Sequence, residues 1–321
     1  MINSTMGEIK TIVSIVAPFY NEQATVDEFF RRVYSLFEQE NSKYIVEVVA
    51  VNDGSNDETL SSLIEMTNKY PRVCVVDLSR NFGKEVALSA GLENVRGQVV
   101  VTIDSDLQHP PEKITEMIQL WEEGFEVVLA KRMNRDTDHV IKRITSNAFY
   151  KIHNAISDIN IPSDVGDFRL MDISVVNEIN KLKESRRFMK GLFAWVGFRT
   201  ITIQYNAAQR VSGRSNFSTW KSWNFALDGI TSSSIVPLKI WTYVGISISF
   251  FSFAYAIYLV SKMLIFGSVT PGFTSLMVGV LFIGGIQLIG IGMLGEYLGR
   301  IYIEVKNRPV YIARKIHRSN N

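Results

Sequence analysis

The chain has 321 residues, 46% of them hydrophobic, and a formal net charge of only +2. This near balance of charge argues against nucleic-acid binding by the chain as a whole. A single cysteine, Cys74, excludes an internal disulfide and a cysteine metal site, and its apolar neighbours indicate a buried thiol in a reducing compartment. The length is sufficient for about two domains, and the apolar content allows one of them to lie in a membrane.

The N-terminal half reads as alternating strands and helices. Its first residues lack the basic start, apolar stretch and small-residue cleavage site of a signal peptide, so we expect none. The predicted strands are 12–18, 45–51, 72–78, 98–104 and 126–130, and the clearest helices are 25–40 and 57–70. The strands are almost continuously hydrophobic, which is typical of strands buried on both faces. We therefore predict an α/β fold with a doubly wound, mostly parallel sheet.

Polar clusters follow four of the five predicted strands. They are residues 20–22, 52–57, 104–108 and 131–135. Ligands of open α/β sheets bind beyond the carboxyl ends of the strands. We therefore expect these four loops to form one site.

Asp104 and Asp106 stand at the end of a predicted strand. In an ideal strand such side chains lie ~6.6 Å apart, whereas two ligands of one Mg²⁺ lie within ~4.2 Å of each other. Both can bind one ion only if the chain turns between them; otherwise one binds the ion and the other acts through water or binds a sugar hydroxyl. Pro110 and Pro111 indicate that the strand ends here. We favour Asp106 as a direct ligand, Asp104 as the nucleotide-side or second ligand, and Gln108 as a neutral oxygen donor; two solvated turn acids are the alternative.

Three further positions are candidates for ligand contacts. Asp53 ends a strand, where its carboxylate can accept a hydrogen bond from a base or a ribose hydroxyl. Lys84 lies near Arg80 at a helix start and can contact an anion, although a solvated helical lysine fits equally well. The motif "DVGDFRLM" (164–171) fits loop-borne chemistry or a buried ion pair. His109 is adjacent to the acid pair, but a lone histidine is usually structural.

Basic residues recur late in the soluble half, at Arg132, Arg143, Arg169, Arg210 and Arg214. The last two lie just before the first long apolar stretch. Basic residues there can meet lipid headgroups or a phosphorylated lipid. Juxtamembrane positive charge without a specific ligand is the alternative.

The C-terminal part has the pattern of a membrane segment. Residues 217–239 mix tryptophans with charges, which predicts an interfacial helix, or else an amphipathic helix packed on the soluble domain. Residues 240–260 and 273–295 carry no charge, and each is long enough to cross ~30 Å of hydrocarbon. Lys and Arg flank this pair while its connection holds only Lys262, so both termini are expected to be cytoplasmic. Gly295 and Gly299 favour close helix packing within or between chains, and we expect a homo-oligomer.

These patterns divide the chain into four parts. We expect a cytoplasmic catalytic domain at 1–216, a juxtamembrane segment at 217–239, a two-helix transmembrane hairpin at 240–296 and a basic cytoplasmic tail at 297–321. The expected location is a membrane that the chain crosses with two spans.

Motifs along nearly the whole chain resemble those of the family-2 glycosyltransferases with the GT-A fold. They are "PFYNE", "NDGSND", "SRNFGKE", "DSDLQHPPE", "LAKR", "DVGDFRLM", "FMKGLFAWVGF" and "GEYLGRIYIEVKNRP". The narrower resemblance is to the polyisoprenyl-phosphate glycosyltransferases, which include dolichol-phosphate mannose synthases and bactoprenol glucosyl transferases. It implies transfer of a sugar from a nucleotide sugar to the phosphate of a membrane polyprenol at the cytoplasmic leaflet. It also implies that this membrane is the inner membrane of a bacterium.

The resemblance and the loops together give an expected set of site residues. They are Glu22, Asp53, Asp104 and Lys84 for the nucleotide donor; Asp104, Asp106 and Gln108 for Mg²⁺ or Mn²⁺; Asp167 and Asp106 for catalysis; and Arg132, Arg143, Arg210 and Arg214 for phosphates. Two positions depart from the family pattern. His109 stands where the family usually has Asp, and Asn216 stands where it usually has Lys, a loss for which Arg214 can substitute.

The resemblance also implies the reaction and its partners. We expect inverting transfer of a hexose, most readily glucose from UDP-glucose, to undecaprenyl phosphate. The lipid-linked sugar would supply modification of a surface glycan of the O-antigen, lipopolysaccharide or teichoic acid type, with a flippase and a downstream membrane glycosyltransferase as partners. Another sugar on the same carrier, or a non-enzymatic membrane scaffold, are the alternatives. A processive polysaccharide synthase is disfavoured, since the chain has no Q-x-x-R-W motif.

Overall fold

A computed structural model describes residues 10–38, 43–133, 165–182, 184, 187, 189–206, 236–266 and 272–319. Its strands are β1 (Thr11–Phe19), β2 (Tyr44–Asn52), β3 (Val73–Leu78), β4 (Val99–Thr102), β5 (Val127–Arg132), β6 (Val165–Asp172), β7 (Thr200–Tyr205) and β8 (Ala313–Arg318). Its α-helices are α1 (Val26–Ser35), α2 (Thr59–Lys69), α3 (Lys84–Leu92), α4 (Lys113–Glu122), α5 (Ile173–Lys181), α6 (Met189–Trp195), α7 (Val236–Phe266) and α8 (Phe273–Val305).

All the described strands belong to one mixed sheet in the order β7-β5-β6-β4-β1-β2-β3-β8. The run β4-β1-β2-β3 is parallel, β5 and β7 are parallel, and β6 and β8 are antiparallel to their neighbours. The chain proceeds outward from β1 through β2 to β3 and then returns to β4 on the other side of β1. A crevice is therefore expected beyond the carboxyl ends of β1 and β4, where ligands of such sheets bind.

The predicted α/β fold is confirmed, and the five predicted strands correspond to β1 to β5 within two residues at each end. One difference bears on the site. The strand predicted as 98–104 ends at Thr102, so Asp104 lies in the loop that follows. Sequence patterns also did not identify β6, β7 or β8.

Apolar clusters cover both faces of the sheet, as a doubly wound arrangement requires. One face packs against α1, α2 and α4, and the other against α3, α5 and α6. Helix α1 shows why: Val26, Phe29, Phe30 and Val33 recur at helical spacing and are fully buried. Each such side chain contributes about 1.5–3 kcal/mol when it leaves water.

The C-terminal segment differs from the predicted basic tail. Helix α8 extends to Val305, and β8 then pairs antiparallel with β3 along the edge of the catalytic sheet. Arg314, Lys315 and Arg318 lie on this edge strand. Charged side chains on an edge discourage pairing with further strands. Residues 313–318 therefore contribute an edge strand to the sheet.

Helices α7 and α8 contain the two stretches predicted to cross a membrane. One segment, Phe282–Val305, is long and apolar enough to do so by length and composition, with 24 residues and a mean hydropathy of 1.3. The two helices meet where Trp241 lies against Gly290: a Cβ on Gly290 would lie 2.6 Å from the indole nitrogen. Among the described residues, nothing lies within 4 Å of a Cβ built on Gly295 or Gly299. Close packing within the chain is thus found at Gly290 and not at the predicted pair.

Candidate active site

An acid–lysine–acid cluster lies beyond the carboxyl end of β4. The Nζ atom of Lys84, the first residue of α3, is 2.6 Å from Oδ1 of Asp104 and 2.6 Å from Oδ2 of Asp167. The Thr102 hydroxyl donates to the Asp167 carbonyl, which joins the end of β4 to β6. Three residues far apart in sequence therefore converge because β6 runs antiparallel beside β4.

Opposite charges within this cluster favour the ionised forms of Asp104 and Lys84. Burial by itself would raise the pKa of Asp104, but the Lys84 charge and a hydrogen bond with His109 hold it well below its usual value. Burial by itself would lower the pKa of Lys84, but Asp104 and Asp167 raise it. The Lys84 side chain is still 42% exposed, whereas Asp167 is 9% exposed. The Lys84 ammonium group is thus held at the solvent-facing side of the cluster, where it can contact a ligand.

The loop after β4 turns at and directly after Asp106. Leu107 adopts a φ of +60°, and the backbone N–H of Gln108 donates to Oδ1 of Asp106 at 3.1 Å. The Ser105 hydroxyl donates to the Pro18 carbonyl at 2.9 Å, which ties this loop to β1. That Asp104 and Asp106 share one ion stays a prediction. No group of three or more His, Cys, Asp or Glu side chains is arranged for a metal within the described ranges.

His109 links Asp104 to the far edge of the sheet. Its Nε2 lies 3.2 Å from Oδ2 of Asp104, and its Nδ1 lies 2.7 Å from the hydroxyl of Tyr205, the last residue of β7. The ring also packs against Phe168, at 5.3 Å between centroids. Both oxygens of Asp104 are thus engaged, one by Lys84 and the other by His109.

Asp53 organises the neighbouring loop. It is 3% exposed, and its carboxylate accepts hydrogen bonds from the backbone N–H groups of Phe82 and Gly83, at 2.7 and 3.0 Å. Burial raises the pKa of Asp53, and the two backbone donors oppose that rise. Gly54 has a φ of +65°, and a Cβ there would lie 2.3 Å from the backbone of Arg80. Asp53, which was predicted to contact the nucleotide donor, thus fixes the conformation of the loop that precedes Lys84.

A polar cavity of about 320 Å³ opens beyond β1, β2 and β3. Asn52 and Asp77 line it and are buried, with the Asn52 amide donating to Asp77 at 2.8 Å. Arg314 of β8 reaches the same cavity and donates to the Ser79 carbonyl at 3.1 Å. Asp77 is the penultimate residue of β3, so the strand-end argument could have identified it. No local sequence signal connects Arg314 to this cavity, since 235 positions separate it from Ser79.

The other predicted residues are distributed as follows. The Glu22 backbone N–H donates to the Thr59 hydroxyl at 3.0 Å, which joins the loop after β1 to the start of α2. Arg132 ends β5 and is in register with Tyr205. Arg169 is buried against the ring of Phe193, and burial lowers its pKa to about 10. Arg143, Arg210, Arg214 and Asn216 lie outside the described residues.

Comparisons with known proteins give consistent results. The family model described as Glycosyl transferase family 2 matches residues 14–179. A bactoprenol glucosyl transferase of Shigella phage SfII is 49% identical over 308 residues, which cover 96% of this chain and 99% of that protein. An uncharacterized glycosyltransferase of Synechocystis sp. is 48% identical over 301 residues, covering 94% of each chain.

Among solved structures, mannosyl-3-phosphoglycerate synthase from Rubrobacter xylanophilus superposes with a TM-score of 0.50. The two are 15% identical, and the match covers 71% of this chain and 75% of that one. At this identity the likeness concerns the fold alone. It supports the GT-A-like α/β architecture with a mixed sheet.

Proposed function

The chain belongs to glycosyl transferase family 2, and from that premise we propose that it transfers a hexose from a nucleotide sugar to polyprenyl phosphate. Glucose from UDP-glucose is the favoured donor, because similar chains over almost their whole length are named bactoprenol glucosyl transferases. Undecaprenyl phosphate is the favoured acceptor. The product would be a lipid-linked sugar for surface glycan modification.

The observation that carries this proposal is the adjacency of a polar cavity and an ionic cluster. Ser79, Arg80 and Asn81 line the cavity, and Lys84, three positions further on, holds Asp104 and Asp167. Three residues span at most about 11 Å. A base and ribose in the cavity would therefore leave their diphosphate within reach of Lys84. This is the order of groups in a nucleotide sugar.

A divalent cation fits the same place. The available donors are oxygen only, namely the carboxylates of Asp104 and Asp106 and the amide of Gln108, which is the set that Mg²⁺ and Mn²⁺ prefer. Lys84 already occupies a cation position between two carboxylates. When bound, the metal would neutralise the diphosphate. We propose Asp104 and Asp106 as its carboxylate ligands, with Gln108 as the neutral one.

The proposed reaction depends more on neutralising negative charge than on removing a proton. A phosphate monoester with a second pKa of about 6 is largely dianionic at pH 7, so the acceptor needs little help from a general base. The larger problem is to bring this dianion to the anomeric carbon beside a diphosphate. We propose a single in-line displacement with inversion. Asp167, held by Lys84 at 2.6 Å, would orient hydroxyl groups at the reacting centre.

Basic residues would neutralise the two phosphate groups. Arg132 ends β5, and within the described part of the chain its buried Nε has no hydrogen-bond partner. This leaves it available to an anion. Arg143, Arg210 and Arg214 are proposed for the same purpose from the sequence. Helices α7 and α8 would hold the site at the cytoplasmic membrane face as two spans, close to an acceptor confined to the bilayer.

The test is transfer of label to lipid. Membranes containing the full chain would be incubated with radiolabelled nucleotide sugars, undecaprenyl phosphate and Mn²⁺ or Mg²⁺. With the wild type, label from UDP-glucose should enter the organic phase. With the Asp104→Asn variant, it should not. Label from another nucleotide sugar would change the donor and keep the reaction class. Absence of label from every donor would refute the proposal.

A further inference from the structure

His109 has contacts that the proposed reaction does not use. It lies three positions beyond Asp106, where the family pattern differs from this chain. Its side chain is 13% exposed, and each ring nitrogen has one partner: Asp104 at 3.2 Å and Tyr205 at 2.7 Å. A histidine that served packing alone would need contacts such as that with Phe168, but not two aligned polar partners.

The hydrogen positions follow from the chemistry of the three groups. An ionised carboxylate only accepts hydrogen bonds, so Nε2 of His109 carries the hydrogen that faces Asp104. In the neutral ring, Nδ1 is then an acceptor. Burial raises the pKa of Tyr205 to about 12, so its phenol is protonated at neutral pH and donates to Nδ1. Tyr205 thereby fixes both the tautomer and the orientation of the ring.

We infer that His109 and Tyr205 form a positioning pair that holds Oδ2 of Asp104 and presents Oδ1 to the divalent cation. This inference rests on the proposed function. Oδ1 is the oxygen that Lys84 contacts, so it already faces a cation. Neither residue of the pair touches the ion or the substrate. Groups that orient a metal ligand in this way typically change metal affinity 10- to 100-fold when they are removed.

The position of Tyr205 makes the pair rigid. Tyr205 is 5% exposed, ends β7, and packs edge-to-face on Phe168 at 5.8 Å between centroids. Phe168 is fully buried in β6, next to Asp167 in sequence. The pair therefore couples the loop after β4 to β6 and to the edge strand β7. Asp104 is held at one oxygen by residues of the sheet and at the other by the partly exposed side chain of Lys84.

The test measures metal affinity separately from turnover. Full-length protein in detergent with saturating UDP would be titrated with Mn²⁺, and free Mn²⁺ would be followed by electron paramagnetic resonance. His109→Phe keeps an aromatic ring and removes the donor; we expect about 10- to 100-fold weaker binding. Tyr205→Phe removes the hydroxyl and should weaken binding less. His109→Gln, which can still donate to Asp104, should remain within about threefold of the wild type.

A matched control separates positioning from stability. Tyr34 is also buried, belongs to the same apolar cluster as Tyr205, and donates to the Pro71 carbonyl away from the site. Tyr34→Phe should lower thermal stability without changing Mn²⁺ affinity. Transfer assays at saturating Mn²⁺ should recover much of the kcat of His109→Phe, because the loss lies in metal binding.

The outcomes distinguish this inference from the proposed function. Unchanged Mn²⁺ affinity in His109→Phe and Tyr205→Phe, with lipid labelling by the wild type, would overturn the pair and keep the transferase. Lipid labelling by a wild type that binds no Mn²⁺ would do the same. Affinity lost equally in His109→Gln and His109→Phe would show that packing, and not the donor, matters. Absence of lipid labelling by the wild type would overturn the proposed function.

Discussion

Replacing Lys84 by glutamine should have effects of opposite sign on metal binding and on sugar transfer. Lys84 lies 2.6 Å from carboxylate oxygens of both Asp104 and Asp167, where it competes with a divalent cation for Asp104. Its removal leaves two carboxylates with no counter-charge between them. The bare site should then bind Mn²⁺ more tightly. Transfer should nevertheless slow, since the proposed contact between Lys84 and the donor diphosphate is lost.

The magnitude follows from the exposure of Lys84. Two unit charges about 4 Å apart interact by about 4 kcal/mol at an effective dielectric of about 20. The Lys84 side chain is 42% exposed, so solvent screens its charge. Each of its two ion pairs is therefore assigned the energy of an exposed pair, about 0–1 kcal/mol. Two such pairs give a competition of up to about 2 kcal/mol. Mn²⁺ affinity should therefore rise in Lys84→Gln, by up to about 30-fold.

The assay is an Mn²⁺ titration without nucleotide, followed by electron paramagnetic resonance, together with lipid labelling from UDP-glucose. Lys113→Gln is the matched control: Lys113 also makes a 2.6 Å ion pair, with Glu116 on α4, and has no proposed role in the site. That control should leave both measurements unchanged. Mn²⁺ affinity that stays constant or falls in Lys84→Gln would refute competition at Asp104.

Three further predictions concern the site and its supports. Asp167→Asn should depress transfer evenly from pH 6 to 9, since orientation does not titrate; recovery at high pH, where the acceptor is fully ionised, would instead indicate a base. Tyr205→Phe should cost about 1 kcal/mol of unfolding free energy at pH 8. The pKa of the Tyr205 phenol is about 12 in the folded protein and about 10 in the unfolded chain, so its contribution to the unfolding free energy is complete below pH 10 and falls by about 2.7 kcal/mol as the pH rises through 12. Urea unfolding should therefore show that the stability deficit of Tyr205→Phe shrinks and reverses over this pH range. A deficit that stays constant with pH would contradict the assignment. Gly54→Ala should lower the melting temperature and donor affinity more than Gly83→Ala, because both glycines have positive φ but only the Gly54 Cβ would meet backbone, at 2.3 Å; equal effects would argue against the close approach.

Strand-end reasoning identified most of the candidate site residues from local patterns. Strands buried on both faces have a strong hydrophobic signal, so β1 to β5 were predicted and their polar ends were recognised. The loop after β4 was predicted to need a turn for Asp104 and Asp106 to share an ion; the left-handed residue of this loop, Leu107 with a φ of +60°, follows Asp106, so the shared ion stays a prediction. The prediction could not say that β4 ends at Thr102, because Ile103 continues the β-rich pattern.

Local sequence patterns could not predict contacts between segments that are far apart in the chain. Lys84 could be assigned equally to an anion or to solvent, because nothing in "NFGKE" reports that β6 brings Asp167 beside β4. Asp53 was expected to face a ligand, yet its carboxylate accepts from the backbone of Phe82 and Gly83. His109 had no explanation until Tyr205, 96 positions away, was found against its other nitrogen. In each case the partner comes from an element whose place in the sheet order is a tertiary property.

The strand β8 adds a constraint on where the reaction can occur. It is joined to α8 by residues 306–312, and an extended chain of that length reaches at most about 28 Å from Val305 to Ala313. Arg314, the next residue, lines the cavity proposed for the nucleotide. If α8 crosses the bilayer and ends at the cytoplasmic surface, the donor cavity must stay within that distance of the surface. Under the proposed function, the strand that closes the edge of the sheet would thus tie the donor site to the leaflet that holds the acceptor, whereas a flexible basic tail would not.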